Sequence, residues 1–291
     1  MSAGSADYAD RFWTSADGLR LHACDYAAAS GPAALPVICI HGLTRNARDF
    51  DALAPWLAAR GRRVLAIDVR GRGLSQWDPA ANYVPAAYAQ DVERFMAGLG
   101  IARAVFVGTS MGGLITMEVA ASSPHLIAAA IVNDVGPVLA EAGIRRITGY
   151  AGLTPHMSAW TDAADYLRRQ NVQALPHYEP EDWARMARRM FRERDGHILP
   201  DYDPAISRPL GEGSGALPAD PWQRWEALAR DRPVLLLRGS LSDLLEGDVA
   251  DKMVAGRAGV LLRLVNGVGH APMLDEADAL AAIEDFLRKA D

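Results

Sequence analysis

Along most of this chain, short wholly apolar runs alternate with stretches whose apolar residues recur every three or four positions. The runs read as strands buried on both faces, the stretches between them as amphipathic helices. In order they are PVICI, a helical DFDALAPWLAAR, RVLAID, a helical VPAAYAQDVERFMAGLG, AVFV, a helical GLITMEVAA, and LIAAAIVND. The rhythm returns near the end in PVLLLRG, a helix around EGDVADKMVAG, VLLRLVN, and a closing helix DEADALAAIEDFLRKA with Leu280, Ile283 and Leu287 on one face. Strands that are apolar on both sides need helices above and below them. The pattern therefore predicts an α/β fold with a doubly wound, mostly parallel sheet. Ahead of it, FWTSADGLRLHACDY supplies two β-type runs joined at Asp17-Gly18, so the chain is expected to open with an antiparallel hairpin.

Between Pro137 and Pro221 this rhythm breaks, and no buried-strand pattern occurs. EPEDWARMARRMFRER places Trp183, Met186, Ala187 and Met190 at helical spacing with Pro180 suited to a first turn, Trp160 and Leu167 mark another helix, and PLGEGSGALPADP reads as a return loop. The expected organisation is a core of residues 1–136 and 221–291 interrupted by a helical cap, 137–220. Four of the seven tryptophans, Trp160, Trp183, Trp222 and Trp225, lie in the cap or just after it. The plain explanation is that they glue cap helices to the core, and the sharper one is that some line an apolar pocket.

Composition narrows what such a fold would act on. A chain of 291 residues, half of them hydrophobic, can bury a large core without metals or disulfides. A formal net charge of -6 argues against nucleic-acid or anionic-membrane partners, which call for a basic patch. Cys24 and Cys39 are the only cysteines and lack metal-ligand or redox spacing, which suggests buried thiols in a reducing compartment. The first residues lack the basic-then-apolar pattern of a leader, and no run approaches the roughly 18 apolar residues of a membrane span. The expectation is a soluble cytoplasmic protein without cofactor or metal.

One polar residue inside an apolar run carries the chemistry. Gly108-Thr109-Ser110-Met111-Gly112 fits G-x-S-x-G, a weak pattern alone. Here it follows the strand AVFV and opens a helix, the strand, sharp turn and helix that hold a serine in strained backbone at the carboxyl edge of a sheet. A serine hydroxyl needs a base, and among seven histidines His270 stands in NGVGHAPM, a loop at the carboxyl edge after the last strand. The base needs a carboxylate to fix its tautomer. Asp243, in the loop leaving PVLLLRG, is the first choice, and Asp134, ending LIAAAIVND, is its rival. The N–H groups of Leu43, after the first parallel strand, and of Met111 are the expected oxyanion donors.

Taken together, IHGLTRN, DVRGRGLS, VGTSMGG, RGSLSD and GVGHAP, in this order, resemble the α/β-hydrolase superfamily, in particular its cap-bearing esterases, enol-lactonases and carbon–carbon bond hydrolases. The resemblance implies Ser110 as nucleophile, His270 as base, Asp243 as acid, and Leu43 with Met111 as the oxyanion hole. It also implies that Asp68, Arg70, Gly71, Gly73 and Ser75 form a structural loop, and that dehalogenase and epoxide-hydrolase chemistry, which use an aspartate at the elbow, is excluded. The expected activity is cofactor-free hydrolysis of a small, largely apolar ester or lactone through an acyl-enzyme on Ser110. The alternatives are carbon–carbon bond hydrolysis of a β-diketone-like acid, with cap arginines such as Arg145, Arg185 or Arg188 holding a carboxylate, and a hydrolase-fold small-molecule receptor.

Overall fold

The computed structural model describes residues 8–29, 34–210 and 220–290. β1 (Ala9–Thr14) and β2 (Arg20–Tyr26) form the opening antiparallel hairpin, whose loop contains Gly18 at φ +90°. β2 then pairs antiparallel with β4 (Val64–Asp68). From there β3 (Val37–Ile40), β5 (Ala104–Thr109), β6 (Ile127–Asn133), β9 (Val234–Gly239) and β10 (Val260–Val265) continue the sheet in parallel, in the order β1-β2-β4-β3-β5-β6-β9-β10. The expected doubly wound, mostly parallel sheet is the one observed.

Every residue of β3, β4, β5 and β6 is buried, as strands covered on both faces require. Alternate side chains feed two cores. Val37, Cys39, Val105 and Val107 face α1 (Leu53–Ala58) and α9 (Ala277–Ala290), whereas Ile38, Ile40 and Phe106 face α2 (Pro85–Gly98), α3 (Met111–Ser122), α7 (Pro221–Ala229) and α8 (Gly247–Val254). Pro85, Pro180 and Pro221 each sit in a first helical turn, where the missing N–H costs no bond. In α9, Ile283 and Leu287 are buried and Leu280 packs beside them. Both cysteines are buried and free. No helix among the described residues is long and apolar enough to cross a membrane.

Between β6 and α7 lie α4 (Glu141–Thr148), α5 (Trp160–Asn171) and α6 (Pro180–Met190). This insertion is not purely helical. The helix read through Arg194 stops at Met190, and Phe191–Arg194 pairs with His197–Pro200 as β7 and β8. Asp195 and Gly196 both have positive φ, the requirement of a tight hairpin turn that Asp-Gly meets. Residues 211–219 of the expected return loop lie outside the described residues. The tryptophans are packing residues, each meeting a partner within its own part of the chain. Trp183 is buried against Tyr178, Arg188 stacks on Trp160, Trp225 is fully buried with its indole N–H on the Met253 carbonyl, and Lys252 lies over Trp222.

Where β5 turns into α3 the backbones approach too closely for side chains. A Cβ on Gly112 would sit 1.9 Å from the Ile40 carbonyl oxygen, and one on Gly108 would sit 2.4 Å from the Gly112 oxygen. Gly112→Ala is therefore expected to cost about 3 kcal/mol of stability through forced displacement of backbone, measured by chemical denaturation. Gly98→Ala, at an exposed helical site with nothing within 4 Å, is the control and is expected to stabilise by about 0.5 kcal/mol or more.

Candidate active site

The elbow after β5 holds Ser110 at φ 52° and ψ -117°, outside the regions an L-residue prefers. It is fastened on both sides. The Ser110 N–H donates to the Asn133 carbonyl at 3.0 Å, and the Ser110 carbonyl accepts the first helical bond, from Gly113, at 2.8 Å. His270 arrives from the loop after β10, and its Nε2 lies 2.9 Å from Ser110 Oγ. Its Nδ1 lies 2.8 Å from Asp134 Oδ2. A carboxylate only accepts, so the proton resides on Nδ1, which leaves Nε2 free to accept the serine hydroxyl.

The carboxylate on His270 is thus Asp134 and not the expected Asp243. Asp134 follows β6, which lies between β5 and β9, so the end of β6 falls between the serine and the histidine loop. Its side chain is fully buried and saturated, with Oδ1 accepting from the Gly239 N–H at 2.9 Å and Oδ2 from Ser242 Oγ at 2.7 Å as well as from His270. Asp243 is engaged elsewhere. Arg146 of α4 grips it through Nε at 2.6 Å and Nη2 at 2.7 Å, and the Asp243 carbonyl accepts from the Gly143 N–H. Partial burial pushes the Asp243 carboxyl up, but the Arg146 hydrogen bonds and charge outweigh it and hold its pKa below the usual range.

Leu43 follows Gly42 in the turn beside Ser110 and Met111 follows Ser110 directly, and neither backbone N–H has a hydrogen-bond partner among the described residues. The turn bearing Leu43 is stitched to the loop after β4. His41 Nε2 accepts the Val69 N–H, Asp68 accepts the Ala47 N–H, and Arg72 donates from Nε to the Leu43 carbonyl at 3.0 Å. Arg72 is fully buried, and its Nη2 also lies against Met111 Sδ. It braces both oxyanion candidates, yet the sequence marked only its neighbours Arg70, Gly71 and Gly73. Those neighbours, with Asp68 and Ser75, do form a structural loop: Arg70 is held by Asp17, Asp78 and Asp91, and Ser75 Oγ bonds the Asp68 carbonyl.

The other histidines serve elsewhere. His41 is enclosed, donating from Nδ1 to the Gly42 carbonyl, and burial holds its pKa down to about 4. His22 bridges Asp68 and Asp10, and the rings of His156 and His197 meet edge to face. Over Ser110 lies a cavity enclosing about 460 Å³ of space between atoms, its open mouth included. Leu43, Arg45, Ile147, Tyr150 and Asn171 are among its lining residues. Arg145 and Arg185 pair with acidic neighbours on exposed helix faces, so neither fills the carboxylate-holding role considered for the cap.

The alpha/beta hydrolase family model matches residues 37–283. The chain is 34% identical over 264 residues to the 3-hydroxybutyrate-oligomer hydrolase of Cupriavidus necator, covering 87% of this chain and 88% of that protein. It is 26% identical to the esterase YbfF of Escherichia coli, covering 87% and 92%. Among solved structures it is similar to an alpha/beta hydrolase from Novosphingobium aromaticivorans, with TM-score 0.91, 44% identity, and coverage of 98% of this chain and 100% of that one.

Two outcomes follow from this geometry. Asp134→Asn is expected to lower kcat by about 10³ to 10⁴, with Asp243→Asn changing it far less and instead lowering the thermal midpoint by loosening α4; steady-state kinetics and melting curves separate them. His41 has a folded pKa below its unfolded value near 6.5, so its contribution to stability is full above about pH 6.5 and is lost as pH falls towards 4. The stability difference between wild type and His41→Gln is expected to shrink by on the order of 3 kcal/mol over that window, read from urea unfolding at each pH.

Proposed function

The chain belongs to the alpha/beta hydrolase family, and from that premise we propose that it is a cofactor-free serine hydrolase acting on a short ester. The observation that carries this reading is the unbroken hydrogen-bond relay from Ser110 through His270 to Asp134. Ser110 Oγ attacks the acyl carbon while its proton passes to His270 Nε2, and Asp134 steadies the resulting imidazolium through Nδ1–H. The N–H groups of Leu43 and Met111 hold the oxyanion of the tetrahedral intermediate, their positions fixed before substrate arrives. The intermediate expels the alcohol, which leaves with the proton from Nε2. Water then gives a proton to Nε2 and attacks the acyl-enzyme, and Ser110 is regenerated as the acid departs.

An ester substrate is supported by the relatives, one named for hydrolysing 3-hydroxybutyrate oligomers and one named as an esterase. The cavity favours a short one, with polar groups among its lining as well as Ile147 and Met273. The carbon–carbon reading places the acid's carboxylate on a cap arginine, and Arg45, an arginine that does line the cavity, lies outside the cap. Arg145, Arg185 and Arg188, the cap arginines considered for it, are not among the residues lining the cavity.

Ser110→Ala is expected to reduce hydrolysis of p-nitrophenyl butyrate by at least about 10³ with the thermal midpoint unchanged, and to abolish labelling by a fluorophosphonate probe. Undiminished turnover in this variant would remove the mechanism. A β-diketone acid assayed beside the ester tests the carbon–carbon alternative, and preference for the diketone would replace the ester reading.

A further inference from the structure

Arg45 follows the oxyanion turn and stands beside the candidate nucleophile. The point a Cβ on Gly42 would occupy is 3.6 Å from both Arg45 Cγ and Ser110 Cβ, so the two side chains flank the same spot. Only one of the five guanidinium N–H donors is engaged by a carboxylate: Nη1 donates to Asp49 at 3.0 Å. The Nε–Nη2 edge has no partner among the described residues, although the side chain is largely buried. Arg146 offers the contrast, since its same edge is filled by both oxygens of Asp243.

Arg45 lines two neighbouring cavities. Behind the cavity over Ser110 lies a second, enclosing about 360 Å³ between α5 and the β7–β8 hairpin, its opening included. Thr44, Arg45, Tyr150 and Asn171 line both. In the second cavity the Tyr166 hydroxyl is buried without a hydrogen-bond partner among the described residues, a costly state unless a bound group completes it. An arginine edge of two parallel N–H groups matches a carboxylate.

We propose that Arg45, which lines both cavities, is a specificity residue that binds a free carboxylate on the substrate, which makes the preferred substrate a short ester of a hydroxy acid with its acid end unblocked. This rests on the serine-hydrolase reading and deepens it. Asp49 fixes Nη1 and so aims the open edge. Because the Arg45–Asp49 pair is formally neutral, selection comes from the hydrogen-bond fork at short range and not from a long-range field. A linear hydroxyacid dimer has the required shape, with one internal ester for Ser110 and one terminal carboxylate a few bonds away for Arg45.

The test compares the linear dimer of 3-hydroxybutyrate with its terminal carboxamide, a neutral analogue of nearly the same size, by following cleavage of the internal ester. Wild type is expected to favour the free acid in kcat/KM by roughly tenfold to a hundredfold. Arg45→Gln is expected to bring that ratio near one, chiefly through KM for the acid, and Arg45→Lys to retain part of it. A wild-type ratio near one, or an Arg45→Gln variant that slows both substrates equally and keeps the ratio, overturns the proposal. Hydrolysis of p-nitrophenyl butyrate by the same preparation reports on the underlying reading separately. If that ester is cleaved and neither dimer is, the carboxylate subsite is wrong and the serine hydrolase stands; if Ser110→Ala cleaves p-nitrophenyl butyrate as fast as wild type, the underlying reading fails.

Discussion

A carboxylate shut away from water must be given hydrogen bonds by the protein, and Asp134 takes them from three separate segments: the end of β9 at Gly239, the following loop at Ser242, and the loop after β10 at His270. These contacts tie β6, β9 and the histidine loop into one cluster beside the elbow. The imidazole is thereby aimed at Ser110 by a group that cannot relax into solvent. Asn133 extends the cluster, its carbonyl accepting from the Ser110 N–H and its amide donating to Thr109 Oγ1 and the Pro272 carbonyl. Serine and histidine are therefore positioned from the same strand end.

This arrangement explains which parts of the site were legible in the sequence and which were not. Ser110 was legible because Gly108 and Gly112 record a backbone approach that only glycine permits, and because an apolar strand and helix bracket it. His270 was legible by place, at a carboxyl edge after the last strand. The carboxylate on His270 was not, because Asp134 and Asp243 both leave strands at that edge, and β6 and β9 are adjacent. What decides between them is a rotation of one residue in the loop. Ser242 turns inward to the Asp134 carboxylate, and its neighbour Asp243 turns out to Arg146. Such a choice depends on a cap arginine 97 residues earlier in the chain, which no local pattern encodes.

Fold legibility followed the same division. Strands buried on both faces announce themselves as apolar runs, and the whole parallel sheet was readable for that reason. The cap hairpin was not, because Phe191–Arg194 continues the apolar spacing of α6 and its alternation covers only a few residues. Asp195-Gly196 was a turn signal of the kind that marked the opening hairpin, but helical periodicity ran into it and masked it. Arg72 was hidden for a different reason: a fully buried arginine is rare, and its partners, the Leu43 carbonyl and Met111 sulfur, lie far from it in sequence.

The cap is not an independent lid laid over a finished site. Its backbone bonds directly to the loops that carry the candidate machinery: the Gly269 N–H, next to His270, donates to the Ala174 carbonyl at 2.6 Å, and Gly143 donates to Asp243 at 3.0 Å. Asn46 and Arg48, just past the oxyanion turn, donate to the carbonyls of Arg189 and Arg188 at the end of α6. A Cβ on Gly269 would meet Ala174 Cα at 2.9 Å, so this join is close, though less so than the approaches of 1.9 and 2.4 Å at the elbow. Wholesale opening of the cap would have to break these bonds and disturb the histidine loop with them. Access is more cheaply gained by side chains at the cavity mouth or by the short α4 segment, whose hold on the core passes through the Arg146–Asp243 pair and the Gly143 bond. Asp243 is thus placed where, through Arg146, it ties α4 over Ser110, while the carboxylate on His270 comes from the neighbouring strand.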